Sequence, residues 1–165
     1  MEISYVRADL DEPRHRIAVR ELIAAYAREP HGSGRELPEQ VLDRLVPGLH
    51  AHPTSLVYLA FAGDRPAGVA VCFVGFSTFA ARPLINVHDL AVLPEFRRCG
   101  VGRGLLQQVE RRARELECVK ITLEVREENH VALALYRSCG FGDADIGGGA
   151  LRTWFLERRL DQAQA

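Results

Sequence analysis

The stretch Arg97-Arg98-Cys99-Gly100-Val101-Gly102-Arg103-Gly104 constrains this chain more than any other. Before it, Leu84 to Leu93 is an apolar run of strand length. After it, Gly102 to Leu116 reads as an amphipathic helix. Leu105, Leu106, Val109 and Ala113 fall on one stripe, and Arg111, Arg112 and Arg114 fall off it. Glycines let the backbone turn its N–H groups inward without a Cβ clash. The start of the helix adds partial positive charge, and arginines flank the turn. A strand, a glycine-rich turn and a helix in this order suit a phosphate or pyrophosphate group.

Several patterns share that outline. A Walker loop needs Gly-Lys-Ser/Thr, and this loop has no lysine. A dinucleotide fingerprint counted from Gly100 needs glycine or alanine where Leu105 stands, and Pro94 to Cys99 intervene between strand and loop. Leu105 therefore disfavours a nicotinamide-dependent oxidoreductase. Spacing alone leaves open a plain strand-to-helix turn.

The rest of the chain alternates helix and strand signals. Ile3 to Arg7 reads as a strand. Pro13 opens a helix running to about Arg28, with Ile17, Leu22, Ile23 and Tyr26 at helical spacing. A second helix begins at Pro38, carries Val41, Leu42 and Leu45, and is expected to stop at Pro47-Gly48. Ser55 to Ala62 and Ala67 to Phe76 read as a hairpin around Gly63 to Pro66. In the third apolar run, Ile85 and Val87 set one parity and Leu90 and Val92 the other, which predicts a bulge between them. Val119 to Val125 alternates as a strand. Asn129 to Ser138 is a short helix ended at Cys139-Gly140. Arg152 to Arg159 is a last strand after the Gly147-Gly148-Gly149 turn. The pattern is α/β, a mixed sheet with helices packed on it, and 165 residues fit one domain spanning 1–165.

A net charge of −1 argues against nucleic acid as partner. Lys120 is the only lysine. Cys72, Cys99, Cys118 and Cys139 form no CxxC, and no Cys/His cluster has zinc spacing, so no metal is expected. The first residues show no basic, apolar leader, and no run is long enough to span a bilayer. The expectation is a cytoplasmic protein with no membrane partner.

Three linked motifs carry a family resemblance. Arg97-x-x-Gly100-x-Gly102 matches the Arg/Gln-x-x-Gly-x-Gly/Ala signature of the GNAT N-acetyltransferases. Asp89-Leu90-Ala91-Val92-Leu93-Pro94-Glu95-Phe96 precedes it and looks like that family's fourth strand. Leu123-Glu124-Val125-Arg126 and Asn129-x-x-Ala132-x-x-x-Tyr136-x-x-x-Gly140-Phe141 follow at the family's distance. Together they span residues 85 to 141, while the first 55 match only in pattern. Cys99 departs from the glycine, lysine or glutamine more usual there.

The resemblance implies the GNAT fold, a mixed, mostly antiparallel sheet of about six to seven strands flanked by about four helices. It implies acetyl-CoA as cosubstrate. The loop of Arg97, Arg98, Cys99, Gly100, Val101, Gly102, Arg103 and Gly104 would hold the pyrophosphate, chiefly through backbone N–H groups of 98–103. Leu90, Ala91 and Val92 would pair with the pantetheine arm like an added strand. Asn129 and Tyr136 would lie along that arm, with Tyr136 as general acid to the leaving thiolate.

An amine attacks only when neutral, so a base is needed. His88 sits at the expected bulge, and histidine as a residue type titrates near neutral pH. Glu124 is the other candidate, on the polar face of its strand. Residues 123–136 look like the ribosomal-protein N-terminal alanine acetyltransferases, in which the residue matching Glu124 is the base. Residues 76–92 look like the polyamine and thialysine acetyltransferases, whose catalytic glutamate falls at His88. A small-molecule amine is the expected acceptor, with a peptide N-terminus as the second class. A non-catalytic acyl-CoA-binding module on the same fold is the rival reading. A homodimer is expected, with Trp154 and Phe155 at its interface.

Overall fold

The computed structural model describes residues 2–142. In chain order the elements are β1 (Ile3–Arg7), α1 (Pro13–Ala27), α2 (Glu39–Ala51), β2 (Ser55–Ala62), β3 (Arg65–Ser77) and β4 (Arg82–Val92). A 3-10 turn (Pro94–Phe96) leads to α3 (Val101–Glu115), β5 (Ile121–Leu123) and α4 (His130–Ser138). The strands lie in the order β1-β2-β3-β4-β5. Neighbours from β1 to β4 are antiparallel, and β4 pairs with β5 in parallel. A parallel pair needs a crossover, which α3 supplies. The last strand expected at Arg152 to Arg159, the Gly147-Gly148-Gly149 turn and the Trp154–Phe155 interface lie outside the described residues.

The sheet is covered on both faces, which explains the texture of β2. Leu56, Tyr58 and Ala60 join the core under α3, while Val57, Leu59 and Phe61 join the core under α1 and α2. A central strand buried on both faces reads as one apolar run. Ala18, Val19, Leu22, Ile23 and Ala27 are the buried positions of α1.

Three boundaries differ from the sequence expectation. Pro47 does not stop α2, which continues to Ala51. Its ring removes one hydrogen bond, to the carbonyl of Asp43, on a stretch where Asp43 and Pro47 are both exposed and water can substitute. Burial of Val46 and Leu49 then carries the helix through. The β2–β3 turn is only Gly63-Asp64, because β3 begins at Arg65. Pro66 is tolerated there because the β2–β3 register shifts between Ala60 and Phe61, leaving Ala67 without an opposite partner. β5 is short, Ile121–Leu123, rather than Val119 to Val125.

Candidate active site

The site begins with the bulge. In the β3–β4 ladder Val71 faces Asp89 and Cys72 faces Val87, so His88 is the extra residue. Ile85 and Val87 point into the core under α3, and so do Leu90 and Val92 beyond the bulge. Ala91 points to the α1 side. The parity conflict read from the sequence is resolved at His88.

The bulge also opens the sheet. β4 pairs with β5 only over Ile85–Val87 and Ile121–Leu123, and beyond it the pairing ends. Leu93 donates its N–H to Ala67 O at 3.0 Å, on the β3 side. By alternation, Leu90 and Val92 turn their backbone groups the other way, into the gap. The Val92 carbonyl accepts from Arg97 Nε at 3.0 Å. The N–H and C=O of Leu90 and the N–H of Val92 line the gap as an edge on which an extended, amide-bearing chain can pair.

At one end of this edge stands the start of α3. Gly100 is its N-cap in the left-handed region (φ 82°), with Arg98 also left-handed (φ 59°) and the exposed Cys99 between them. No side chain caps the helix, and its first turn carries no acidic residue. The first helical bond runs from Gly104 N to Gly100 O at 2.9 Å. The N–H groups of Val101, Gly102 and Arg103 are therefore those the helix leaves for an anion.

Three residues of the motifs also make contacts within the fold. The N–H of Gly104 is taken up in that first helical bond, and a Cβ there would lie 2.1 Å from the ring of Tyr5. Its missing side chain lets α3 approach β1. Arg97 places its fork on the Val92 carbonyl and on Glu29, the residue after the C-cap of α1. Asn129 caps α4, its side-chain oxygen accepting from Ala132 N at 3.1 Å.

The two faces of the gap carry different chemistry. On the α4 side, Tyr136 packs against the core under α3, its ring 5.8 Å from Phe141. Burial, with the neighbouring phenol of Tyr26, pushes its pKa up to about 12, so it holds its proton at neutral pH. On the α1 side, the bulge sets two successive polar residues. His88 is exposed, its ring 5.6 Å from Phe73. Asp89 is half-buried, opposite Val71 of the α1-side core. Burial raises its pKa, and the neighbouring His88 partly offsets this. Asn86 donates to Thr122 Oγ1 at 3.2 Å, which marks the same face of β5. Alternation from Thr122 puts Glu124, exposed and one residue past the strand, toward that side.

Two residues of this site were not singled out from the sequence. In the sequence Tyr26 is one more apolar position of α1. Its phenol donates to His31 O at 3.2 Å, and its pKa is raised by burial and then by the charges of Asp89 and Glu29. In the sequence Asp89 marks only the start of the motif strand. Among the described residues, no group of three or more His, Cys, Asp or Glu side chains is placed to hold a metal ion. No helix among them is long and apolar enough to cross a membrane.

Comparison with known proteins agrees with this architecture. The Acetyltransferase (GNAT) family matches residues 16–141. A thialysine N-epsilon-acetyltransferase of Caenorhabditis elegans is 34% identical over 101 residues, 61% of this chain and 60% of that protein. A ribosomal protein bS18-alanine N-acetyltransferase of Salmonella typhimurium is 43% identical over 85 residues, 52% of this chain and 53% of that protein. The matched stretch thus spans between half and two-thirds of either relative's length. A crystal structure described as a probable acetyltransferase superposes with a TM-score of 0.75 at 26% identity, covering 95% of this chain and all (100%) of that one. An aminoglycoside N-acetyltransferase in complex with CoA shares the fold, with a TM-score of 0.74 at 17% identity over 96% of each chain. On the family match and the fold together, this chain belongs to the GNAT family of acetyltransferases.

Proposed function

We propose that the protein transfers the acetyl group of acetyl-CoA to a primary amine of a small molecule. The observation that carries this reading is the gap itself. The uncapped start of α3 and the unpaired backbone of Leu90 and Val92 border the gap, and Tyr136 packs against the same α3-side core. An anion-ready helix end, a strand-like edge and a protonated phenol follow in the order in which a pyrophosphate, an amide-linked arm and a thioester follow in CoA.

Acetyl-CoA supplies an acetyl group activated as a thioester. The N–H groups of Val101, Gly102 and Arg103, with the loop of Arg98 to Gly100, hold the pyrophosphate. Leu90 and Val92 pair with the arm, and a backbone N–H there polarises the carbonyl oxygen. The amine enters from the α1 side and gives a proton to a base. His88 is the first candidate for that base because the bulge puts it on the acceptor face, and Glu124 is the second. The nitrogen then bonds to the carbonyl carbon, the carbon–sulfur bond breaks, Tyr136 protonates the sulfur, and the tyrosinate regains a proton from the new amide nitrogen.

The identity of the C. elegans relative favours a small amine, and that of the S. typhimurium relative favours a peptide N-terminus as the second reading. The test is thiol release from acetyl-CoA against alkylamines, polyamines, amino acids and short peptides. Release with a small amine is expected. Release with peptides alone supports the second reading. Tight acetyl-CoA binding without release from any acceptor would make this a non-catalytic acyl-CoA-binding module.

A further inference from the structure

The gap between β4 and β5 has to stay open to be of use. An unpaired strand edge recruits the nearest chain, and the nearest chain to Leu90 and Val92 is the continuation of β5. Val119 to Val125 alternates as a strand, yet β5 ends at Leu123, level with Val87. Paired strands lie about 5 Å apart, and a chain added between them needs roughly 10 Å. The alternation of Val119 to Val125 favours closing the gap, so its width depends on contacts made elsewhere.

Two arginines reach across from the two strand ends. Arg97, which follows β4, donates from Nε to the Val92 carbonyl at 3.0 Å and pairs its fork with the Glu29 carboxylate. Arg126, which follows β5, donates from Nη1 to the Pro30 carbonyl at 3.4 Å. Glu29 and Pro30 are neighbours in the turn after α1. The strands that part are therefore tied to one point of a third element. The planar fork of Arg97, fixed by two bonds, sets a direction as well as a distance.

That point is firmly built. The Glu29 carbonyl accepts from Gly32 N at 3.0 Å and from Gly34 N at 3.1 Å, and the Ala27 carbonyl accepts from Ser33 N at 3.1 Å and Arg35 N at 3.2 Å. The Tyr26 phenol donates to His31 O at 3.2 Å. Gly32 lies so close to the end of α1 that a Cβ there would stand 2.2 Å from Tyr26 O. The same phenol of Tyr26 neighbours Tyr136 of α4, so the end of α1 reaches both sides of the gap.

We propose that Glu29 and Arg126 are positioning residues for the pantetheine arm: with Arg97 they clasp the ends of β4 and β5 to the turn after α1 and hold the gap at the width in which an extended, amide-bearing chain pairs. This rests on the acetyl-CoA reading for its ligand. The clasp acts on the arm and not on the pyrophosphate, because the N–H groups of Val101, Gly102 and Arg103 belong to α3 and do not depend on the spacing of β4 from β5.

The experiment compares wild type with Glu29→Ala and Arg126→Gln, using CoA and 3′-phospho-ADP, which is CoA without its pantetheine arm. Calorimetry measures both affinities. Glu29→Ala is expected to weaken CoA by about 10-fold, the scale of one hydrogen bond to a charged group, and to leave 3′-phospho-ADP unchanged. Arg126→Gln, which loses the longer contact, shifts CoA the same way by a smaller factor. Hydrogen exchange gives the location. CoA slows exchange at the Leu90 and Val92 amides of wild type but much less in Glu29→Ala, while the amides of Val101 to Arg103 are slowed in both. An equal loss for the two ligands overturns the proposal, because it would mean a general loosening of the fold. Unchanged CoA affinity, or unchanged protection of Leu90 and Val92, overturns it too, with the acetyl-CoA reading intact. A folded wild type that binds neither ligand removes that reading, and the clasp's role with it.

Discussion

The glycines of the phosphate loop separate by what each lacks a side chain for. Gly104 makes room for Tyr5, so Gly104→Ala forces the ring aside and overpacks the contact between α3 and β1. The cost expected is about 1–3 kcal/mol, read from urea unfolding, with acetyl-CoA affinity retained in the folded fraction. A Cβ on Gly102 meets the movable tip of Leu135 at 2.9 Å and the side chain of Val92 at 3.7 Å, but a longer acidic side chain enters the anion site. Gly102→Glu should therefore abolish acetyl-CoA binding by calorimetry while the protein stays folded. Unchanged affinity would remove the pyrophosphate from α3. At the other end, Tyr136→Phe deletes only a hydroxyl. A fall in kcat of roughly 10²- to 10⁴-fold with acetyl-CoA affinity intact is expected of a general acid. His88→Gln and Glu124→Gln then separate the bases, and the larger loss of kcat/KM identifies the one that acts.

Elements explain why some of this was readable and some was not. The loop and the bulge were legible because each is a local conflict. Gly100 and Gly102 interrupt a strand-to-helix passage, and Ile85 and Val87 disagree in parity with Leu90 and Val92. Tyr26 and Glu29 carried no such mark. On α1 the spacing of Ile17, Leu22, Ile23 and Tyr26 suggested one buried stripe, yet Ile17 is 57% exposed and Ala18 and Val19 are buried in its place. Two stripes one residue apart are equally apolar in sequence, and only the sheet beneath decides between them. Glu29 enters the site through Arg97, 68 positions away, and Asp89 through the depth at which β4 passes under α1. The Arg97 fork makes a prediction at this scale. It ties the end of β4 to the segment between α1 and α2, so Arg97→Gln and Glu29→Gln should each speed hydrogen exchange in residues 29–36. The double variant should be no faster than either single one, the signature of a shared contact. Additive effects would mean that the two side chains act separately.

Among the described residues, the buried acids shift in one direction. Cys72 is fully buried, and burial, then the charge of Asp89, pushes its thiol from 9.0 up to about 12. Tyr136 moves from 10.0 to about 12, and Tyr5, Tyr26 and Tyr58 are also raised by burial. A raised acid keeps its proton longer in the folded than in the unfolded chain. Below about pH 9 both states hold these protons and stability does not depend on them. Between about pH 9 and 12 the unfolded chain loses the protons of Cys72 and Tyr136 first, and stability falls by about 1.4 kcal/mol per pH unit for each of these two. Cys72 contributes from the lower edge of this window and the tyrosines from about pH 10. Urea unfolding of wild type at pH 8, 9, 10 and 11 should give a flat start and then a steepening decline. Cys72→Ala lowers the whole curve, because it leaves a small cavity, but it should also flatten the segment between pH 9 and 10 by about one proton. Parallel curves for the two proteins would mean that the Cys72 thiol ionises as easily in the fold as outside it, and that water reaches the inner face of β3 beneath α3.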